Sequence, residues 1–130
     1  EKDRESFFDD FTTTFFSTPK LAGLTSSLKV TEEQRQEAIR MALQSDQTAA
    51  LACMDAFGAT DFRRDLPAVT VPALVLHGDA DQIVPFKGSG KRTHKAIDGS
   101  RVELVKDAPH GFSISHSEEF NRILLEFLAE

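Results

Sequence analysis

The sequence of 130 residues contains no tryptophan, no tyrosine and only one cysteine, Cys53. A single cysteine excludes an internal disulfide and a cysteine metal cluster, and it favours a reducing, cytoplasmic location. No apolar run approaches the ~18 residues of a transmembrane helix, and no signal-peptide pattern opens the chain. Positive charge is also scarce, because the sequence has 15 Lys and Arg residues against 21 Asp and Glu residues, giving a net charge of −6. We therefore expect neither nucleic acid nor a membrane as a partner.

The remaining composition is typical of a globular domain, with 40% hydrophobic and 28% charged residues. A chain of this length forms one domain or part of a larger one. Phenylalanine is abundant, since 11 residues of this type occur. The sequence starts at Glu1 rather than at methionine, which predicts a processed, truncated or engineered start.

Residues 1–65 are predicted to be helical. The phenylalanines that share one face of the first helix are Phe7, Phe8, Phe11 and Phe15. Thr31 and Gln34 have the spacing of a capping box at the start of a second helix. Asp46 is the predicted N-cap of a third helix, on which Cys53 is expected to be a core residue.

Residues 66–130 are predicted to alternate strand, helix, strand and helix. Ala73 to Leu76 is a short apolar run, as expected for a strand that is buried on both faces. Arg101 to Lys106 predicts a second strand, and residues 88–97 predict the helix between the two. Ser115 and Glu118 suggest a capping box for a final amphipathic helix. The apolar face of this helix is expected to pack on the core and consists of Phe120, Ile123, Leu124, Phe127 and Leu128. This order implies two parallel strands joined by a right-handed crossover.

An acidic loop follows the first of these strands, with the sequence His77-Gly78-Asp79-Ala80-Asp81. An acid at the carboxyl end of a parallel strand can orient a histidine and stabilise its imidazolium form. A polar turn that caps the next helix is an equally plain interpretation of the two aspartates. Calcium binding is disfavoured, because the loop lacks the glycine and glutamate that an EF-hand has at its sixth and twelfth positions.

A histidine follows the second strand, where Pro109 and Gly111 flank His110 and predict a sharp turn. A histidine projecting from such a turn can act as a general base, although a solvated loop histidine is the simpler interpretation. His77 is expected mainly to pack at its strand end, with a possible part in shaping the acidic loop. An acid followed by a histidine, each after a strand, has the chain order of the second half of a Ser–Asp–His hydrolase.

These segments resemble the C-terminal half of an α/β-hydrolase, and they are most similar to the cofactor-free, non-heme haloperoxidases and their arylesterase and perhydrolase relatives. The resemblance extends over nearly the whole chain. Its two most specific parts are Val71–Pro85 and Ala108–Phe112. Its other parts are Asp3–Phe8, Thr60–Pro67 and Phe120–Leu128.

The resemblance implies an α/β fold in which residues 1–65 form a helical cap segment and residues 66–130 form a β-α-β-α unit. It implies that Asp81, rather than Asp79, is the triad acid and that His110 is the base. Three further residues would lie near the acyl pocket, namely Ile83, Val84 and Phe112. The parent activity would be hydrolysis of a small ester or perhydrolysis of a carboxylic acid, with no metal and no other cofactor.

The nucleophile of this family is absent from the sequence, because no Gly-x-Ser-x-Gly occurs in it. Gly88-Ser89-Gly90 is the nearest imitation, but it lacks the outer glycines and falls in the predicted crossover helix. The early oxyanion-hole loop is missing as well. We therefore expect the chain to be inactive alone and to need an N-terminal companion segment with the serine. The alternative is an engineered or proteolytic fragment that folds as a homo-oligomer without catalysis.

Overall fold

The computed structural model describes residues 3–19 and 26–130 of the chain. Its six helices in these ranges are α1 (Arg4–Phe15), α2 (Glu32–Leu43), α3 (Gln47–Ala59), α4 (Gly90–Ala96), α5 (Phe112–Ser115) and α6 (Ser117–Leu128). Its strands are β1 (Ser17–Thr18), β2 (Ser27–Leu28), β3 (Leu74–Gly78) and β4 (Arg101–Val105). None of the described helices has the length and apolar character required to cross a membrane. The three helices predicted in residues 1–65 are present, but the short strands β1 and β2 between the first two were not predicted. The order strand, helix, strand, helix predicted for residues 66–130 is confirmed, with α5 as an additional short helix.

Two of the three predicted helix starts are confirmed by their hydrogen bonds. At α2, the Thr31 hydroxyl accepts from the backbone N–H of Gln34, whose side chain accepts from the N–H of Thr31. At α3, the Asp46 carboxylate accepts from the N–H of Ala49 at 2.8 Å. The capping box predicted at Ser115 is wrong. The last helix begins two residues later, and the Ser115 hydroxyl contacts Nδ1 of His116 instead.

A buried arginine holds α1 and α2 together. Arg35 is 8% exposed, and its guanidinium donates to the backbone oxygen of Asp9 and to the hydroxyl of Thr12. It also forms ion pairs with the carboxylates of Asp9 and Glu32. Hydrogen bonds from the side chains of Arg35 and, to a smaller extent, Gln36 lower the pKa of the Glu32 carboxyl from 4.5 to about 2. Polar groups of α1 therefore contribute directly to its packing on α2.

Glu32→Gln is expected to make the chain less sensitive to acid. Because the folded pKa of Glu32 is depressed, its contribution to stability is fully present above pH 4.5 and is lost as the pH falls towards 2. Thermal unfolding followed between these pH values by circular dichroism should show a smaller drop for the variant. The drop should persist in part, because Arg63 lowers the pKa of Asp61 to about 2 as well. Glu33→Gln on the same helix is the control, and an equal change in both variants would contradict the prediction.

The two longer strands form a parallel pair whose ends coincide. β3 and β4 are aligned so that Leu74 lies opposite Arg101 and Gly78 opposite Val105. α4 makes the crossover, preceded by a 3-10 turn over Phe86–Gly88, so the predicted helix is shorter than residues 88–97. The core under the pair consists of Val105, Ala108 and Ile123 with the half-buried Leu74, Leu76 and Phe112. The carboxyl ends of both strands consequently lie at one edge of this small sheet.

Much of the apolar surface of the described residues is exposed, which corrects several expectations. β3 is half-buried rather than buried on both faces, and Leu128 of the last helix is exposed. Cys53 is exposed rather than part of a core. Every residue of α3 except Ala50 is exposed, including Phe57 at 78%. Several apolar side chains whose spacing predicts burial are therefore left exposed within the described residues.

Candidate active site

The loops after β3 and β4 approach each other so closely that glycine is required between them. A β-carbon at Gly78 would overlap the carbonyl oxygen of Ala108 and lie 2.8 Å from that of Pro109. Backbone hydrogen bonds fasten the two loops, from Asp79 N–H to Val105 O at 3.0 Å and from Ala80 N–H to Ala108 O at 3.1 Å. The acidic loop and the histidine loop therefore form one unit.

Asp81 is a buried carboxylate that the loop fixes on one side. Its side chain is 3% exposed. Its Oδ1 accepts from the backbone N–H groups of Ile83 and Val84, at 2.9 and 2.8 Å. The second oxygen, Oδ2, is thereby turned towards the histidine loop. Two backbone donors thus set the side-chain rotamer of the acid.

His110 is brought together with Asp81, as the chain order predicts. Its Nδ1 lies 2.7 Å from Oδ2 of Asp81. Because an ionised carboxylate can only accept, Nδ1 carries the proton of the neutral ring. Nε2 then retains its lone pair, and the side chain is 31% exposed. The geometry presents a basic nitrogen at the surface of the site.

The end of α1 forms one wall beside the imidazole. The ring of Phe15 meets that of His110 edge to face, with centroids 4.8 Å apart. The backbone oxygen of Phe15 accepts from the N–H of Gly111 at 2.9 Å. A β-carbon at Gly111 would overlap the ring of Phe16, so glycine is needed here as well. The N-terminal helix therefore contacts the predicted base directly.

Asp79 has a structural role, although not the helix cap that the sequence left open for both aspartates. Its Oδ1 accepts from the N–H of Asp107 at 2.7 Å. Asp107 has a left-handed backbone with φ of 54°, and its carboxylate pairs with Lys29. Asp79 thus braces a strained turn. Only Asp81 of the two contacts a histidine, although its catalytic role stays a prediction.

The other predicted positions are placed as follows. Ile83 and Val84 are half-buried and fix the acid through their backbones, while Phe112 packs against Phe120 and the core. Their contact with an acyl group stays a prediction.

Ser89 lies at the start of α4, and its hydroxyl donates to Pro85 O at 2.9 Å. For His77 the sequence predicts mainly a packing role, but its Nε2 contacts the backbone oxygen of Val84 in the acidic loop. The sequence signal for such a contact is Asp81, four residues after His77.

Comparisons with known proteins relate the whole chain to a family. The chain is 34% identical over 128 residues to a non-heme chloroperoxidase of Kitasatospora aureofaciens, covering 97% of this chain. It is 38% identical over 73 residues to a bifunctional esterase/perhydrolase of Acinetobacter calcoaceticus, covering 56% of this chain and 26% of that protein. The crystal structure of a bromoperoxidase from Bacillus anthracis superposes with a TM-score of 0.89 at 41% identity over 99% of this chain. No protein-family model matches the chain.

The matches to the chloroperoxidase and the bromoperoxidase cover nearly all of this chain but less than half of each relative. The chain spans 45% of the length of the chloroperoxidase and 45% of the bromoperoxidase chain. The segment that matches is the C-terminal half of the shared fold. Helices followed by a short parallel strand pair are what that half contains, so the predicted fold class is confirmed.

Proposed function

Because this chain belongs to the α/β-hydrolases and corresponds to the C-terminal half of the non-heme haloperoxidases, we propose that it supplies Asp81 and His110 to a serine esterase for small carboxylic esters. The observation that carries the proposal is the 2.7 Å contact between Nδ1 of His110 and Oδ2 of Asp81. Two backbone N–H groups fix the acid, and the other ring nitrogen is free to accept a proton.

In the proposed reaction, a serine hydroxyl attacks the ester carbonyl while Nε2 of His110 takes the hydroxyl proton. Asp81 stabilises the imidazolium that forms, and His110 then returns the proton to the departing alcohol. In the second half, His110 takes a proton from water, which attacks the acyl-enzyme carbonyl. The bond to the serine oxygen then breaks, His110 returns the proton to the serine, and the carboxylic acid is released. Hydrogen peroxide in place of water would release a peracid, in line with the perhydrolase activity named for the Acinetobacter relative. These steps use an acid, a base and a nucleophile, without a cofactor.

The proposal divides the chain into a cap, residues 1–65, and a catalytic segment, residues 66–130. The contact of Phe15 with His110 supports a cap beside the base. The serine is proposed to come from an N-terminal companion segment, since the sequence has no Gly-x-Ser-x-Gly. A cytoplasmic location is part of the proposal and is supported by the lone, unpaired thiol of Cys53.

A chimera tests this function. The part of the Bacillus anthracis bromoperoxidase that this chain does not match is joined to, or co-expressed with, the chain. We expect the assembly to hydrolyse a p-nitrophenyl ester and a serine-directed phosphonate to abolish turnover. The chain alone should hydrolyse the ester no faster than buffer. An assembly that folds and binds the chain but shows no phosphonate-sensitive turnover would contradict the proposed function.

A second candidate is a non-catalytic homo-oligomer, which the exposed apolar residues of α3 and α6 favour. Leu51, Met54 and Phe57 of α3 and Leu125 of α6 are all more than half exposed. A two-stranded parallel sheet also leaves an unpaired edge on each strand within the described residues. Sedimentation of the pure chain distinguishes the two cases. A stable multimer that does not bind the companion segment favours the second candidate.

A further inference from the structure

His77 occupies a fixed place next to the acid loop. It is the fourth residue of β3, and its side chain is only 14% exposed. The ring of Phe86 lies 5.5 Å away, centroid to centroid. α4 also begins so close that a β-carbon at Gly90 would approach both Nδ1 of His77 and the ring of Phe86 to 3.0 Å. The imidazole is therefore held in one orientation by its neighbours.

The contacts of Nε2 decide the tautomer of His77. This nitrogen lies 2.9 Å from the backbone oxygen of Val84 and 3.4 Å from Oδ2 of Asp81. A carbonyl and a carboxylate both accept, so the proton of the neutral ring must sit on Nε2. The shorter contact is a hydrogen bond, and the longer one brings the same N–H dipole towards the carboxylate.

Val84 is consequently held at both of its backbone groups. Its N–H donates to Oδ1 of Asp81 at 2.8 Å, and its carbonyl accepts from His77. Asp81 in turn accepts from Nδ1 of His110 with its other oxygen. A continuous set of hydrogen bonds thus runs from His77 through Val84 and Asp81 to His110.

We propose that His77 is a positioning residue of the hydrolase site, which fixes Val84 and thereby the rotamer in which Asp81 orients His110. The inference rests on the proposed function for its catalytic consequence. Its structural basis is independent of any serine, because all four residues belong to this chain. Without the Nε2–H donor, the Val84 carbonyl keeps only the longer contact from the Ser89 hydroxyl, at 3.3 Å, and the loop that carries the two donors to Asp81 loosens.

Imidazole nitrogen NMR of the full 130-residue chain tests the arrangement directly, since it contains four histidines. Under neutral conditions we expect His77 as the Nε2–H tautomer and His110 as the Nδ1–H tautomer. In His77→Leu, the Nδ1 proton of His110 should exchange with water about tenfold faster, the factor that corresponds to one lost hydrogen bond. His77→Gln, whose amide can donate to Val84, should recover most of this protection. His94→Leu is the control for loss of a histidine from a neighbouring helix.

Two results would overturn the proposal: His77 as the Nδ1–H tautomer, or unchanged exchange at His110 in His77→Leu. If that variant does not fold, the tautomer of the unmodified chain and the exchange rate in His77→Gln decide. In the active chimera, His77→Leu should lower kcat about tenfold with little change in KM, and His77→Gln should restore it. An inactive chimera with the expected NMR pattern rejects the proposed function and leaves the positioning role in place.

Discussion

Replacing His110 with alanine in the active chimera is expected to lower kcat at least about 10⁴-fold, with a much smaller effect on KM. His110 is the group whose Nε2 would take the serine proton, and no other imidazole contacts Asp81 through Nδ1 within the described residues. Asp81→Asn should cost about 10⁴-fold as well, because an amide can present its N–H to Nδ1 and favour the wrong tautomer. Ester turnover at saturating substrate, with active sites counted by phosphonate labelling, measures both.

His94→Ala provides the matched control. His94 is exposed on α4, and its Nδ1 contacts the Ser100 hydroxyl rather than the acid loop. This variant should retain kcat within about twofold, as expected for a surface substitution. The double variant of Asp81 and His110 should be little worse than His110→Ala, because the two side chains act as one unit. A His110→Ala chimera with more than a tenth of the unmodified kcat would remove His110 from the role of base.

Gly78→Ala is expected to destabilise the chain by about 3 kcal/mol or more. The added methyl group would occupy the space of the Ala108 carbonyl oxygen and come within 2.8 Å of that of Pro109. Both obstacles are backbone, so relief requires separating the two loops and breaking the hydrogen bonds of Asp79 and Ala80. Urea unfolding followed by circular dichroism measures the loss.

Gly58→Ala is the matched control for this effect. A β-carbon at Gly58 in α3 would meet no atom within 4 Å. Since alanine favours a helix over glycine, this variant should be more stable by up to about 1 kcal/mol. Equal stability of the Gly78→Ala and Gly58→Ala proteins would show that the loops have room to move apart.

The sequence was most informative where local rules act. The capping groups at Thr31 and Asp46, the start of β4 and the meeting of Asp81 with His110 all follow from spacing, chain order and the geometry of parallel strands. A periodic pattern of apolar residues, however, indicates only which face seeks burial. It does not say whether the covering surface lies in the same chain. For this reason the burial predicted for Cys53 and Leu128 was wrong.

Contacts that depend on three-dimensional placement were also out of reach of the sequence. Arg35 is buried through its contacts with polar groups of α1, whereas the sequence pattern of α1 indicates only the face that carries the phenylalanines. The different roles of Asp79 and Asp81 depend on which carboxylate faces Asp107 and which faces the histidine. Two residues apart in a loop, the two carboxylates have no sequence pattern that separates them.

The attachment of the N-terminal segment to the histidine loop has a consequence for the order of folding. Lys29 pairs with Asp107 across 78 positions of the chain, and Gln82 donates to the backbone oxygen of Ser17 across 65. Closing such long intervals costs more chain entropy than forming a helix turn or a cap. On the ribosome, Ser17 and Lys29 therefore emerge long before Gln82 and Asp107, with which they pair. The surroundings of the imidazole are assembled late, after the histidine loop itself has left the ribosome.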